Sequence, residues 1–293
     1  MEGLLLNVIF PIYILIFLGY AFGKIWKSLE TRTISTLVLY IFAPALIFDS
    51  FRGLKSFENL TSISLSALIV FLGVYSLSLL VEGLLLKEKN PAFELSSTVM
   101  NAGYLGIPLI YLMFGEKSLS IALTYMVVMA VYHFTLGIVI LNRNLSSGFK
   151  EALKIPLIYA VLLAFLLRGV SLPSGVEKMI KLTGNATMPL MLVSIGISLS
   201  KINLKGLEVG VLSTLVRFLG GTVFSLFSVE ILGLKGLTSK VLIVQSSLPS
   251  AVLNYVLCER FNKSPEIAAS SIFISTILFP IHLILLKLLL IYL

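Results

Sequence analysis

Apolar residues fill this chain in ten runs, which are separated by short polar gaps. An α-helix needs about 20 consecutive apolar residues to cross the hydrocarbon core of a bilayer. Most of the runs reach that length, so the pattern predicts an all-α integral membrane protein with ten transmembrane helices. The predicted spans are 4–23, 33–51, 60–86, 93–114, 118–141, 153–170, 176–199, 206–233, 238–258 and 266–292.

Composition supports the membrane class and changes how the net charge is interpreted. Of the 293 residues, 58% are hydrophobic and only 12% are charged, whereas about 25% of residues are charged in a typical soluble domain. The net charge of +8 comes from basic residues in the gaps between runs, which is typical of topology signals and not of nucleic-acid binding. Their distribution favours a multi-pass protein of the cell (inner) membrane with both termini outside.

Familiar catalytic and metal-binding motifs are missing from the sequence. There is no HExxH, GxSxG or P-loop, and the single cysteine, Cys258, excludes an internal disulfide. The sequence therefore predicts neither an enzyme nor a resident cofactor, although Na⁺ or H⁺ could take part as a coupling ion.

The positions of the prolines suggest an internal repeat. Two pairs have the same separation of 145 positions: Pro11 with Pro156, and Pro44 with Pro189. We therefore predict two five-helix repeats, residues 1–145 and 146–293. Because five is odd, the second repeat would enter the membrane in the opposite orientation, which is a common transporter plan. Chance is the alternative, since proline is frequent in membrane helices.

The fourth and ninth runs carry helix-breaking residues in their middles. Residues 101–108 read NAGYLGIP, and residues 245–254 read QSSLPSAVLN. A proline leaves the carbonyl four residues earlier without its donor, so Pro108 would free the carbonyl of Tyr104 and Pro249 that of Gln245. Irregular backbone survives at membrane depth only where protein buries it or a cavity wets it. Two such breaks predict a binding site for a small charged ligand near the midplane, with two simple kinks as the alternative.

Three ionisable residues within the runs are candidates for ion or proton coupling. Asp49 could bind a proton or sodium, or could form an interfacial ion pair with Arg52. His133 could relay protons, because histidine titrates near neutral pH, or could be a hydrogen-bonded structural residue. Arg217, deep in the eighth run, could attract substrate or could hold backbone carbonyls or a carboxylate.

Several segments resemble the auxin efflux carrier family over nearly the whole chain. The most specific is NAGYLGIPLIYLMFGEKSLSIAL at 101–123. GYAFGK at 19–24, LVLYIFAPALIFDSF at 37–51, Arg217 and SSLPSAVLNYVLCERF at 246–261 are also similar. The resemblance implies ten spans in inverted repeats with crossed broken helices 4 and 9, a fold shared with the bile acid:sodium symporters. It also implies secondary transport of small organic anions, auxin-like acids or dicarboxylates, with a homodimer as a possible assembly.

The resemblance and the two breaks together give a set of predicted substrate-binding residues. By resemblance, Asn101 and Asn254 would lie at the crossing and contact a substrate carboxylate, and their alternative role is helix–helix hydrogen bonding. Transport would proceed by an elevator-like alternation of access, in which spans 1, 2, 6 and 7 form the fixed unit. The alternative is a sodium-coupled symporter of the bile acid type. The full predicted set is Asn101, Gly103, Tyr104, Pro108, Gln245, Ser247, Pro249 and Asn254.

Overall fold

A computed structural model describes residues 2–29, 31–52, 60–143, 146, 150, 151, 153–202 and 205–291. Within those ranges the protein is all-α and has no β-strand. Its main helices are α1 Leu5–Ile25, α2 Thr33–Arg52, α3 Leu60–Leu86, α4 Pro91–Thr98, α5 Gly106–Phe114, α6 Glu116–Asn142, α7 Pro156–Leu166, α8 Ser174–Lys201, α9 Leu207–Ile231, α10 Gly236–Ser246, α11 Val252–Arg260 and α12 Pro265–Leu290.

Seven helices of the described ranges are long and apolar enough to cross a membrane: α1, α2, α3, α6, α8, α9 and α12. The predicted span at 153–170 is shorter than expected, because α7 covers only Pro156–Leu166. Pro156 begins this helix, in a position where its missing N–H would have no helical partner. After Leu166 the chain turns through Gly169, whose φ of +80° lies outside the helical region.

The fourth and ninth runs are interrupted helices, as their sequences predict. One run divides into α4 and α5, and the other into α10 and α11. The two prolines lie at different places in the broken helices. Pro108 lies in the first turn of α5, between the bonds of Ile107 to Gly103 and of Leu109 to Leu105, and its missing N–H leaves the carbonyl of Tyr104 without that donor. Pro249 lies within the interruption itself. The first interruption therefore precedes its proline and contains Gly103.

The helices form two packing groups. In one group, α1 packs along α8, and α2 packs against both α7 and α8. In the other, α9 packs against α3 and α12, and all three contact α4. The long helix α6 joins the second group through α3 and α10. The interrupted helices are thus surrounded by protein, which is the condition for irregular backbone within a membrane.

The contact between α1 and α8 is close because glycines lie where the helices cross. A Cβ atom at Gly196 would overlap the carbonyl oxygen of Ile16, and one at Gly19 would overlap that of Val193. Small residues let two membrane helices approach to backbone contact, where dispersion forces act over many atoms. This pair is therefore the most tightly fitted part of the first packing group.

Large apolar side chains cover the outer faces of the helices. Examples are Phe17 on α1, Leu219 on α9 and Ile281 on α12, which are 64%, 61% and 61% exposed. In water such a surface would be unfavourable, whereas lipid chains solvate it well. The fold is therefore that of a multi-pass membrane protein.

Candidate functional site

The two interruptions meet and pair through their backbones. Met100 and Ser250 form an isolated antiparallel bridge. The amide of Asn101 donates to the carbonyl of Pro249 at 2.8 Å, and the amide of Ala251 donates to that of Val99 at 3.0 Å. Backbone amides and carbonyls that the broken helices leave unpaired thus bind each other where the two interruptions meet, a place called the crossing below. Four half-helix ends converge at this point.

Arg217 binds the C-terminal ends of the first halves of both broken helices. Its Nη1 donates to the carbonyls of Ser97, at 2.9 Å, and Thr98 in α4, and its Nη2 donates to the carbonyl of Ser246 in α10 at 2.8 Å. Helix C-termini carry partial negative charge and unpaired carbonyls. A fully buried guanidinium offsets both, so the structure places Arg217 in the role of a link between the two half-helices.

The second halves of the broken helices leave backbone donors free. Among the described residues, the amides of Gly103, Tyr104 and Leu105, just before α5, have no hydrogen-bond acceptor. The same holds for Val252 and Leu253 in the first turn of α11. Helix N-termini carry partial positive charge, and free amides there are ready donors to an anion. The crossing therefore presents two sets of donors, and the opposite carbonyl ends are covered by an arginine.

An open cavity lies beside these donors. The first interruption and the start of α11 form one wall, and α6 forms a second. The facing wall comes from the other packing group, with α2, the start of α7, and Met191 of α8. The cavity thus lies between the two packing groups, next to the paired interruptions.

The cavity lining is mostly apolar, with a few polar side chains. The polar ones are Asn101, Tyr104 and His133, and none of the lining residues is a lysine, arginine, aspartate or glutamate. Four methionines also line it: Met100, Met126, Met129 and Met191. Methionine is flexible and polarisable, so such walls adapt to ligands of irregular shape. Within the described ranges, no group of three or more His, Cys, Asp or Glu side chains could hold a metal ion.

Asn254 and His133 lie next to each other at the edge of the cavity. The Asn254 amide nitrogen donates to the carbonyl of Val99 at 3.1 Å and to Ser250 Oγ at 3.0 Å. Its Oδ1 atom is therefore turned away, and the His133 side chain is close enough to interact with it. At regular hydrogen-bond distance, however, neither Asn254 Oδ1 nor His133 Nε2 has a partner. His133 also begins a π-helical turn, a feature often found at functional sites.

The other predicted site residues lie off the cavity lining. Pro108 is buried within α5. Gln245 is fully buried, donates to the carbonyl of Ala122 at 3.2 Å, and leaves its Oε1 atom unpaired. Ser247 donates to its own helix and pairs with Thr222, while Pro249 contributes the carbonyl that Asn101 binds. The structure thus places Asn101, Gly103 and Tyr104 in the lining, with Asn254 behind His133.

Asp49 does not form the predicted ion pair with Arg52. Arg52 instead donates to Glu177 at 3.2 Å and to the carbonyl of Val170 at 2.6 Å. The Arg52 guanidinium, at the end of α2, therefore contacts the Glu177 carboxylate in the first turn of α8 and the Val170 carbonyl that precedes this helix. Asp49 is half-buried on α2, away from the cavity lining, and makes no ion pair with another described residue.

Sequence reasoning missed part of the cavity wall. Met126 and Met129 were missed, although with His133, which was predicted as a coupling residue, they follow the i, i+3, i+7 spacing of one helix face, and that spacing was visible in the sequence. The free amides of Val252 and Leu253 had no comparable signal, because any residue type can supply a backbone donor.

Comparison with known proteins identifies the family. The model of a family described as membrane transport protein matches residues 4–149 and 144–286. The chain belongs to this family. The resemblance to auxin efflux carriers is thereby confirmed, and as a member of a transporter family the chain is not an enzyme.

Relatives of this membrane transport protein come from archaea and plants. An uncharacterised transporter of Methanocaldococcus jannaschii is 30% identical over 92% of this chain and 94% of its own length. One from Methanothermobacter thermautotrophicus is 26% identical over 93% and 94%. Auxin efflux carrier component 3a of Oryza sativa subsp. japonica is 32% identical over 35% of this chain and 17% of its own length.

Proposed function

We propose that this protein is a secondary transporter that carries small organic anions, carboxylates above all, by alternating access. The observation that carries this proposal is the crossing of two interrupted helices, whose unpaired N-terminal amides lie beside a cavity. Five donors without an acceptor are costly in a membrane interior unless a ligand or water binds them. An anion at this point would satisfy the donors and the partial positive charge of both half-helices.

The cavity supports an organic rather than an inorganic anion. Its walls are largely apolar and rich in methionine, which suits a ligand with a carbon skeleton. Asn101 offers an amide that can donate to a carboxylate, whereas the Tyr104 hydroxyl donates to the carbonyl of Ser35 at 3.5 Å. Helix dipoles and backbone amides attract the anion, and none of the lining residues is a lysine or arginine that would hold it permanently.

Two features support an elevator-like movement. The cavity lies between the packing group of α1, α2, α7 and α8 and the group that contains the crossing, so sliding of one group against the other would change its access. The glycine contacts between α1 and α8 make the first group suited to act as the fixed part. We further propose that residues 1–145 and 146–293 are inverted repeats. In each half the described elements follow one order: three helices, an interrupted helix and a long helix.

The membrane setting is part of the proposal. We place the ten spans in the cell membrane with both termini outside, because the gaps assigned to the inner side hold more lysine and arginine. A homodimer is proposed from the family resemblance, and cross-linking in membranes would test it.

A sodium-coupled symporter of the bile acid type is the second candidate. A sodium ion would need free oxygen ligands, and the carbonyl ends of α4 and α10 are natural places for them. The carbonyls of Ser97, Thr98 and Ser246 already accept hydrogen bonds from Arg217. This contact favours transport without sodium, and a sodium gradient applied in the experiment below would separate the two mechanisms.

Charge movement in proteoliposomes on solid-supported membranes tests the function directly. Malonate, malate and indole-3-acetate would be applied to the wild type, to Asn101→Ala and to Asn142→Ala. Asn142 is an exposed asparagine at the end of α6, which makes it a matched control. We expect at least one anion to give a current in wild type and control that is lost in Asn101→Ala.

The contrary results are equally clear. If folded protein gives neither current nor binding with any of the anions, the carboxylate proposal is wrong. Equal currents in Asn101→Ala and wild type would show that the protein transports anions but does not bind them at Asn101. Currents that require sodium would favour the symporter of the bile acid type.

A further inference from the structure

The cavity lining contains one histidine, His133, and histidine is the side-chain type whose charge changes most readily in proteins. His133 is only 4% exposed and lines the cavity from α6. Its Nε2 atom has no partner at hydrogen-bond distance, and neither has the neighbouring Asn254 Oδ1. Asn254 is held in this orientation, because both hydrogens of its amide go to other acceptors. The only polar atom that Asn254 turns to the imidazole is therefore an acceptor.

No charged side chain compensates His133 in the described part of the chain. The Glu94 Oε1 atom lies 3.4 Å from Arg143, its Oε2 atom has no hydrogen-bond partner, and no charged group among the described residues acts on the imidazole. Asn254 is the polar side chain that lies beside the imidazole and can accept a hydrogen bond from it. On His133's own helix the titratable groups are Glu116, Lys117, Tyr125 and Tyr132. On the elements around it they are Tyr40, Asp49, Arg52, Tyr75, Glu82, Glu94, Tyr104, Tyr111, Arg217, Lys240, Tyr255, Cys258, Glu259 and Arg260.

A protonated His133 would fit this surrounding better than a neutral one, provided that an anion is present. An imidazolium has two N–H donors. One would bind Asn254 Oδ1, and the other would be available to the cavity. Alone, a buried cation is expensive, and so is a buried carboxylate. Together they form a neutral pair, so each makes the binding of the other more favourable.

We propose that His133 binds one proton together with each substrate anion. The inference rests on the proposed function and adds the coupling ion to it. The carboxylate remains ionised, the proton is held on the imidazole, and the pair crosses the membrane as one unit. For a monocarboxylate the loaded carrier moves no net charge relative to the empty carrier with neutral His133. The protein is then a proton–anion symporter.

Isothermal titration calorimetry can measure how many protons the protein takes up when an anion binds. Purified wild-type protein would be titrated with indole-3-acetate, malonate and malate at pH 7.5, in two buffers with different ionisation enthalpies. The difference in observed heat gives the number of protons taken up per anion bound. We expect a value of about one, and affinity that weakens about tenfold per pH unit, because each anion bound takes up one proton from solution.

The chain provides a matched control because it has two histidines. His282 lies on α12, stacks on Phe218 with ring centroids 4.2 Å apart, and is not part of the cavity lining. His282→Gln should keep the proton uptake of the wild type. His133→Gln should bind the anion with an uptake near zero and lose the pH dependence of affinity.

The outcomes separate this inference from the proposed function. Anion binding by the wild type without proton uptake would overturn the role of His133 and leave anion transport standing. Uptake that persists in His133→Gln would assign the proton to another group and would also overturn it. Absence of binding for all three anions would contradict the proposed function first, and the inference with it. Because the proton count uses wild-type protein, it remains informative even where a variant fails to fold.

Discussion

Replacement of Arg217 should separate the two broken helices and lower the stability of the whole protein. The guanidinium makes three hydrogen bonds to carbonyls of α4 and α10, and it is completely buried. Interhelical hydrogen bonds in membrane proteins contribute about 0.6 kcal/mol on average and up to about 1.7. Arg217→Leu should therefore cost about 2–5 kcal/mol. At about 2–4 °C per kcal/mol, the melting temperature should fall by about 4–20 °C.

The single cysteine makes this measurement simple. Cys258 is buried, so a thiol-reactive dye reports its exposure as the protein unfolds in detergent. Arg217→Lys should fall between wild type and Arg217→Leu, because one ammonium group cannot reach both carbonyl ends as the planar guanidinium does. Leu219→Ala, which changes a lipid-facing residue on the same helix, is the control. If Arg217→Leu melts within about 1 °C of the control, the guanidinium does not hold the crossing together.

Two further predictions concern other contacts. Arg260 holds the pKa of the Glu151 carboxyl below its ordinary value of 4.5, so this pair stabilises the fold above that pH and the contribution is lost as pH falls through the lowered pKa. Between pH 7 and pH 3.5 the melting temperature should fall more in wild type than in Glu151→Gln. Equal falls would contradict a stabilising role of the Glu151–Arg260 pair. Gly196→Ala should reduce yield and melting temperature, since the added methyl group overlaps the Ile16 carbonyl, whereas Gly175→Ala meets open space and should be neutral. Equal melting of the two glycine variants would contradict the close packing of α1 on α8.

Hydropathy predicted much of the fold, because run length alone fixes whether a helix can span a bilayer. The broken helices were also predictable, since glycine and proline at membrane depth act locally on the backbone. The α7 prediction was too long at both ends. Apolar composition continues to residue 170, but the chain turns at Gly169, and hydropathy does not register such a turn. The inverted repeat remains a prediction that the order of elements supports.

The site was only partly predictable, because its main contacts join distant segments. Asn101 stood out as a polar residue in an apolar run, and it lines the cavity. The acceptors of Arg217 are backbone carbonyls about 30 and 120 positions away. Every residue has a backbone carbonyl, so the sequence gives no signal for these partners. An ion pair of Arg52 with Asp49 was one of two alternatives, suggested by their closeness in sequence, but the three-dimensional fold brings Arg52 to Glu177 instead.

The pairing of the two interruptions has an evolutionary consequence. The hydrogen bonds that join Asn101 to Pro249 and Ala251 to Val99 use backbone atoms alone. Any residue with an amide or carbonyl at those positions can make them, so the joint tolerates changes in the side chains around it. Those neighbouring side chains form the cavity wall. Mutations could therefore shift selectivity from one acid to another without weakening the crossing, which gives this architecture a simple way to diversify.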